Sequence, residues 1–153
     1  PQVALISAGR HAGGLVSART AKEYELAANG ASDEEAMLSA DLDGGTLAMS
    51  ESLGALDRGI LVSNLWYLNF SDRSSCRLTG MTRFATFWVE NGRIRAPLNV
   101  MRFDDSLYRM LGTELQGLTR EREWIQSRST YGQRSVESSR VPGALLSSLT
   151  LTL

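Results

Sequence analysis

An Asn91-Gly92 step between two apolar, aromatic-rich runs is the strongest constraint in this sequence. Both positions tolerate positive φ, so the pair suits a two-residue type I′ turn whose twist matches that of two antiparallel strands. The run before it, Thr82 to Glu90, reads as a strand, with Phe84 and Trp88 on one face and Phe87 and Val89 on the other. Ile94 to Leu98 returns as its partner. Pro97 cannot donate to a ladder, so that strand lies at an edge or ends there.

Upstream, Ile60 to Phe70 is rich in β-branched and aromatic residues and is bounded by Gly59 and by Ser71-Asp72. It reads as one strand. Ile60, Val62, Trp66, Leu68 and Phe70 fall on one face; Leu61, Leu65 and Tyr67 fall on the other with Ser63 and Asn69. Apolar groups on both faces predict a central strand covered from both sides. The connection Ser71 to Arg77 is longer than a tight hairpin needs, which predicts a turn and an extension of a neighbouring strand. Residues 59–103 hold two of the three tryptophans, all four phenylalanines and the only cysteine.

Elsewhere the signals are local. Val3 to Ile6 reads as a short strand, and residues 9–14 (Gly-Arg-His-Ala-Gly-Gly) as a flexible connection. That glycine run lacks the Gly-Lys-Ser/Thr ending of a phosphate-cradling loop. Thr20 and Glu23 fit a capping box for a helix reaching about Ala27, stopped by Asn29-Gly30. Residues 29–46 read as a long acidic surface loop. Its carboxylates (Asp33, Glu34, Glu35, Asp41, Asp43) lack the alternating spacing of a calcium loop. Ser50 to Leu56 predicts a short helix with Leu53 and Leu56 on one face and Gly59 in the C′ role. Asp104-Asp105-Ser106 reads as the cap of another helix, with Leu107, Met110 and Leu111 as its stripe and Gly112 as its stop. Trp124-Ile125 begins a strand, Arg128 to Arg140 is a loop, and Val141-Pro142-Gly143 turns the chain. Ala144 to Leu153 is a closing strand in which Leu149, Leu151 and Leu153 alternate with polar residues. The fold class predicted is α+β: one domain over residues 1–153, mostly antiparallel sheet with a few short helices.

At 153 residues the chain is long enough for a real core. No apolar run reaches the roughly 18 residues of a membrane span, and the N-terminus lacks the pattern of a signal peptide. A single cysteine excludes an internal disulfide and fits a reducing, cytoplasmic setting. Charge is uneven. Residues 1–58 carry 4 basic and 9 acidic side chains, and residues 59–153 carry 12 and 8. Every basic residue except Lys22 is arginine, which suits bidentate recognition of carboxylates.

Three stretches together carry a family resemblance: residues 59–73 (GILVSNLWYLNFSDR), residues 78–107 (LTGMTRFATFWVENGRIRAPLNVMRFDDSL) and residues 141–153 (VPGALLSSLTLTL). They resemble the C-terminal region of the TldD/PmbA family of zinc-peptidase-related proteins, also described as modulators of DNA gyrase. The resemblance implies that this chain is the C-terminal domain of a longer protein that acts in proteolysis or peptide maturation. It also implies a homodimer or a heterodimer with a TldD-like subunit, and a peptide or unfolded polypeptide substrate. Zinc-binding members carry an H-E-x-x-x-H motif upstream of this region and a cysteine ligand shortly before the last strand. Residues 128–143 hold no cysteine, so the chain resembles the non-zinc TldE/PmbA side, with any zinc in the rest of the protein or in its partner.

The residues themselves agree on the metal. A catalytic zinc usually takes three protein ligands, and this chain has one histidine and one cysteine. His11 has no G-x-S-x-G elbow to serve, and Cys76 is a weak ligand candidate. Peptide binding is the leading expectation, with Asn64, Tyr67, Asn69, Arg73, Thr82 and Arg83 on or beside the central strands as its site and an arginine facing a peptide carboxylate. A non-catalytic interaction module is the alternative. Single-stranded nucleic-acid binding by Arg73, Arg77, Arg83, Arg93 and Arg95 among aromatics ranks below both, since no RNP-like motif is present.

Overall fold

The structure, a computed structural model, describes residues 2–152. The chain forms two compact units. One comprises the described residues up to Asp41 with Ile125–Ser139; the other comprises Leu42–Trp124 with the described residues from Arg140.

The first unit opens with a small hairpin, β1 (Ile6–Ser7) and β2 (Arg10–His11), closed by Ala8 and Gly9 at φ 48° and 73°. The glycine run thus begins in a tight turn rather than a loose connection. Helix α1 (Ala18–Tyr24) follows. Its N-cap is Ser17, not Thr20: the Ser17 hydroxyl accepts the Thr20 N–H at 3.2 Å. Glu35 accepts the Ser17 N–H at 2.8 Å and so fills, from 18 residues away, the reciprocal role expected of Glu23. That N–H bond and the Thr20 and Ser17 hydroxyls hold the Glu35 carboxyl below its usual range. Asn29 clamps the same entry, accepting from Val16 N–H and donating to the Gly14 carbonyl. Within the predicted acidic loop, β3 (Ser39–Asp41) is an added strand, and the Ser138 N–H donates to the Leu38 carbonyl beside it.

In the second unit a 3-10 turn (Met49–Glu51) leads into α2 (Ser52–Leu56), as expected. Asp57, not Gly59, terminates that helix, at φ 50°. Then come β4 (Gly59–Val62), β5 (Leu65–Asp72), β6 (Arg77–Thr82), β7 (Thr86–Glu90), β8 (Arg93–Pro97) and β9 (Arg102–Ser106). After a π-helical turn (Arg109–Thr113) follow β10 (Leu115–Gln126), β11 (Ser138–Leu146) and β12 (Leu151–Thr152). The architecture is α+β, mostly antiparallel sheet. One sheet has the order β4-β7-β8 and another the order β12-β9-β6-β5.

Several expectations are corrected. Ile60 to Phe70 is not one central strand. The polar pair Ser63-Asn64 breaks it into β4 and β5, which belong to different sheets. All of β5 is exposed and it ends its sheet. Thr82 to Glu90 is likewise split by a turn at residues 83–85, with Ala85 at φ 54°, and Phe84 is exposed rather than core. Asp104 and Asp105 lie in β9; only Ser106 caps, accepting the Tyr108 N–H, and Gly112 sits inside the π turn instead of ending it. Residues 115–123 join Trp124 in the long β10. Val141-Pro142-Gly143 lies within β11, where Gly143 N–H donates to the Thr119 hydroxyl at 2.8 Å. The closing run is the end of β11 plus β12, and Leu153 lies outside the described residues.

The Asn91-Gly92 hairpin forms as expected. Their φ values are 52° and 65°, Glu90 pairs with Arg93, and β8 is an exposed edge. Gly44-Gly45 is used differently, for close approach to β10. A Cβ on Gly45 would stand 2.4 Å from the Leu118 carbonyl oxygen. Among the described residues the buried apolar side chains are Val89, Phe103 and Met110; Thr82, Thr86, Asp105 and Thr119 are buried in the same unit, and Ser17 in the other. Asp105 is the anchor among the polar ones. It takes N–H bonds from Ser106 and Thr150 and pairs with Arg109 at 2.7 Å.

Candidate functional site

The four-stranded sheet has a core face and an open face. Register places Leu65, Thr82, Gly80, Phe103, Leu78, Phe70 and Asp105 on the core side. On the open side stand rows that cross the strands: Trp66-Met81-Arg102, then Asn69-Thr79-Asp104, then Asp72-Arg77-Ser106.

Trp66 and Asn69 share a face because of a β-bulge. Trp66 pairs with Met81 and Asn69 with Thr79, so Tyr67 and Leu68 together oppose Gly80 alone. Tyr67 takes φ 56°, a left-handed conformation rare for a bulky residue. Bulges of this kind re-aim a side chain at a sheet edge. The result is a recess of about 190 Å³ lined by Tyr67, Asn69, Thr79, Gly80, Met81 and Arg102. Tyr67 is 72% exposed at its rim. The Asn69 amide donates to the Tyr67 carbonyl at 3.3 Å and steadies the bulge.

The six residues expected from sequence fare differently. Tyr67 and Asn69 line the recess. The Arg83 guanidinium lies 4.3 Å from the centre of the Trp66 ring, beside the recess. Arg73 lies over the half-exposed Phe70, on the face opposite the recess. Thr82 is fully buried, and its hydroxyl accepts the Met101 N–H at 3.0 Å. Asn64 stands at the start of β5. Its carbonyl takes the Arg83 N–H, and its Oδ1 is enclosed without a partner among the described residues. Thr79, Gly80, Met81 and Arg102 were not expected. Arg102 would have been found had Arg102 to Ser106 been read as a strand rather than Asp104-Asp105-Ser106 as a helix cap.

The charged groups of this face differ in how far they are paired. Arg77 is bound to Asp104 through a guanidinium–carboxylate pair and also donates to the Asp104 carbonyl at 3.0 Å. Arg102 makes no ion pair among the described residues. The Ser74 and Ser75 hydroxyls and the Ser74 N–H engage Asp72 and lower its pKa to about 2. Asp104 is thus paired with Arg77, Asp72 stays ionised, Arg83 stacks on Trp66, and Arg102 is the cation of the recess lining.

Zinc, which the resemblance implies for the family, is not matched by residues here. No three His, Cys, Asp or Glu side chains among the described residues stand close enough to hold a metal ion. His11 belongs to the β1–β2 hairpin, and Cys76 ends the β5–β6 turn at φ 51°.

An antiparallel α+β domain with an exposed, bulged edge strand is the class these features define. Residues 1–153 match the family described as the PmbA/TldA metallopeptidase C-terminal domain, and the chain belongs to it. Two crystal structures share the fold. One, titled a "putative modulator of a DNA gyrase" from Thermotoga maritima, has a TM-score of 0.74 at 15% identity; 97% of this chain covers 32% of that one. TldE from Thermococcus kodakarensis has a TM-score of 0.74 at 17% identity, with 97% and 33% covered. The chain thus spans about a third of the length of these relatives. No curated protein matches it by sequence. Among the described residues, no helix is long and apolar enough to cross a membrane.

Proposed function

We propose that β5 is the edge on which an extended peptide or unfolded segment docks as an added strand. On this reading the chain is a non-catalytic C-terminal domain of a metallopeptidase-related protein, acting in proteolysis or peptide maturation in the cytoplasm. It contributes scaffold, subunit contact and part of the peptide groove. Zinc belongs to another region of the full-length protein or to a TldD-like partner in a homo- or heterodimer. One observation carries the reading. The eight residues of β5 are exposed throughout and pair with β6 on one side only. A free strand edge offers main-chain donors and acceptors to any extended chain.

The test is fluorescence anisotropy on the full-length protein with a fluorescein-labelled octapeptide of alternating threonine and valine carrying one central glutamate. Binding that is abolished when alternate peptide nitrogens are methylated supports strand addition. Binding unaffected by methylation refutes it.

A second reading has one observation in its favour. Trp66, Tyr67, Phe70 and Phe84 are exposed instead of filling the core, and exposed aromatics among arginines can stack with bases. Against it, Arg83 covers the Trp66 ring face and Arg73 lies over Phe70. Labelled oligo-dT at low salt decides this: tight, salt-sensitive binding that displaces the peptide favours nucleic acid.

A further inference from the structure

We propose that the recess beside the Tyr67 bulge is a subsite for a carboxylate side chain, glutamate or aspartate, carried in mid-strand by the docked peptide; this rests on the edge-strand reading above. Three observations combine. The recess is built by the fold: the bulge opens it, the Gly80 backbone, Thr79 and Met81 line it, and Tyr67 and Arg102 belong to it. Arg102 is the cation of that lining and has no ion-pair partner among the described residues, whereas Arg77, two open-face rows away, is closed off by Asp104. Guanidinium groups bind carboxylates through paired hydrogen bonds, and more strongly where apolar surface limits water.

Geometry selects the source of the carboxylate. Tyr67 and Asn69 fall in the middle of β5, which continues to Leu65 on one side and Asp72 on the other. A strand laid along the whole edge therefore passes the recess with an interior residue, not with its C-terminus. Side chains of an added strand alternate between faces, so one residue in two points to the open face, from which a long carboxylate side chain and the Arg102 side chain on β9 extend toward each other over β5 and β6. The Asn69 amide and Tyr67 phenol add neutral hydrogen-bonding capacity at the rim. Arg83, held over Trp66 in the first open-face row, adds positive potential without itself lining the recess.

The experiment compares two labelled octapeptides on the full-length protein, identical except for glutamate or glutamine at the centre. The glutamate peptide is expected to bind at least tenfold tighter. Arg102→Gln should erase that preference, and Arg102→Lys should retain part of it. Amidating the peptide's C-terminus should change nothing, which separates a side-chain carboxylate from a terminal one. Equal binding of both peptides to the wild type would overturn the subsite while leaving strand docking intact. A preference that survives Arg102→Gln, or that follows the free C-terminus, would also overturn it. Failure of both peptides to bind would remove the docking reading and the subsite with it.

Discussion

Gly80 stands opposite the bulge on β6, and substituting that residue gives a quantitative test of how the sheet is packed. Gly80 pairs with Phe103 across β6 and β9. A methyl group there would lie 2.8 Å from Leu68 Cδ2, 2.9 Å from Phe103 Cε1 and 3.1 Å from Cζ. Comfortable carbon–carbon contact is about 3.5–4.0 Å, so the overlap is several tenths of an ångström at three atoms. Leu68 is 51% exposed and can swing into solvent; Phe103 is 0% exposed and cannot. The ring therefore determines the cost. Overpacking of this kind costs about 1–3 kcal/mol, and the reduced freedom of the unfolded chain offsets about 0.4–1 kcal/mol of it. Gly80→Ala should then destabilise by about 1–2 kcal/mol, and Phe103→Ala alone by about 3–5 kcal/mol. The double mutant should lose less than the sum by about 1 kcal/mol or more, since the new methyl enters space the ring has left. Equilibrium urea unfolding of the full-length protein, followed by circular dichroism, measures all three. Additivity within about 0.5 kcal/mol would refute the claim that Gly80 exists to admit the Phe103 ring.

Other perturbations probe separate parts of the structure. Asp105→Ala should cost about 3 kcal/mol by urea unfolding, because it strands Arg109 and the N–H groups of Ser106 and Thr150. Burial, the largest influence on the Asp105 carboxyl, pushes its pKa up. The Thr150 N–H, Arg109, Thr150 hydroxyl and Ser106 N–H bonds outweigh burial and hold it below 3.8. Its stabilising contribution is thus complete above the unfolded value and disappears as pH falls through the lower folded one, and Asp105→Asn should flatten that acid limb. An NMR titration should place Asp72 at about 2 and move it toward 3.8 in Ser74→Ala, with Ser75 retaining part of the shift. Gly92→Ala should destabilise by about 1–2 kcal/mol in thermal melts, since position 92 has φ 65°.

What could be read from the sequence was local. Asn91-Gly92 demands positive φ at two consecutive positions, and few other arrangements satisfy that between strands. The short helix at residues 52–56 was legible from Leu53 and Leu56 on one face, although Asp57 and not Gly59 ends it. The break at Ser63-Asn64 was visible as two polar residues but was overruled by the apolar residues on either side. Strand β10 was not legible: Arg120, Glu121, Arg122 and Glu123 give it no apolar alternation, and Leu47 and Thr119 define its place through a long-range bridge. The cap on α1 depends on Glu35, 18 residues beyond Ser17, which no local motif reports. Tyr67 and Asn69 were identifiable as amphipathic groups on a strand. Their meeting with Arg102 was not, because it requires the bulge, which stands opposite Gly80 on another strand.

The most direct test of strand docking is amide hydrogen exchange across Leu65–Asp72 in the full-length protein, with and without the glutamate octapeptide. The prediction is fast exchange at the outward amides of β5 in the free protein, and strong protection at alternate positions once peptide saturates it. Protection already present in the free protein, or peptide binding that leaves β5 unchanged, would contradict the account.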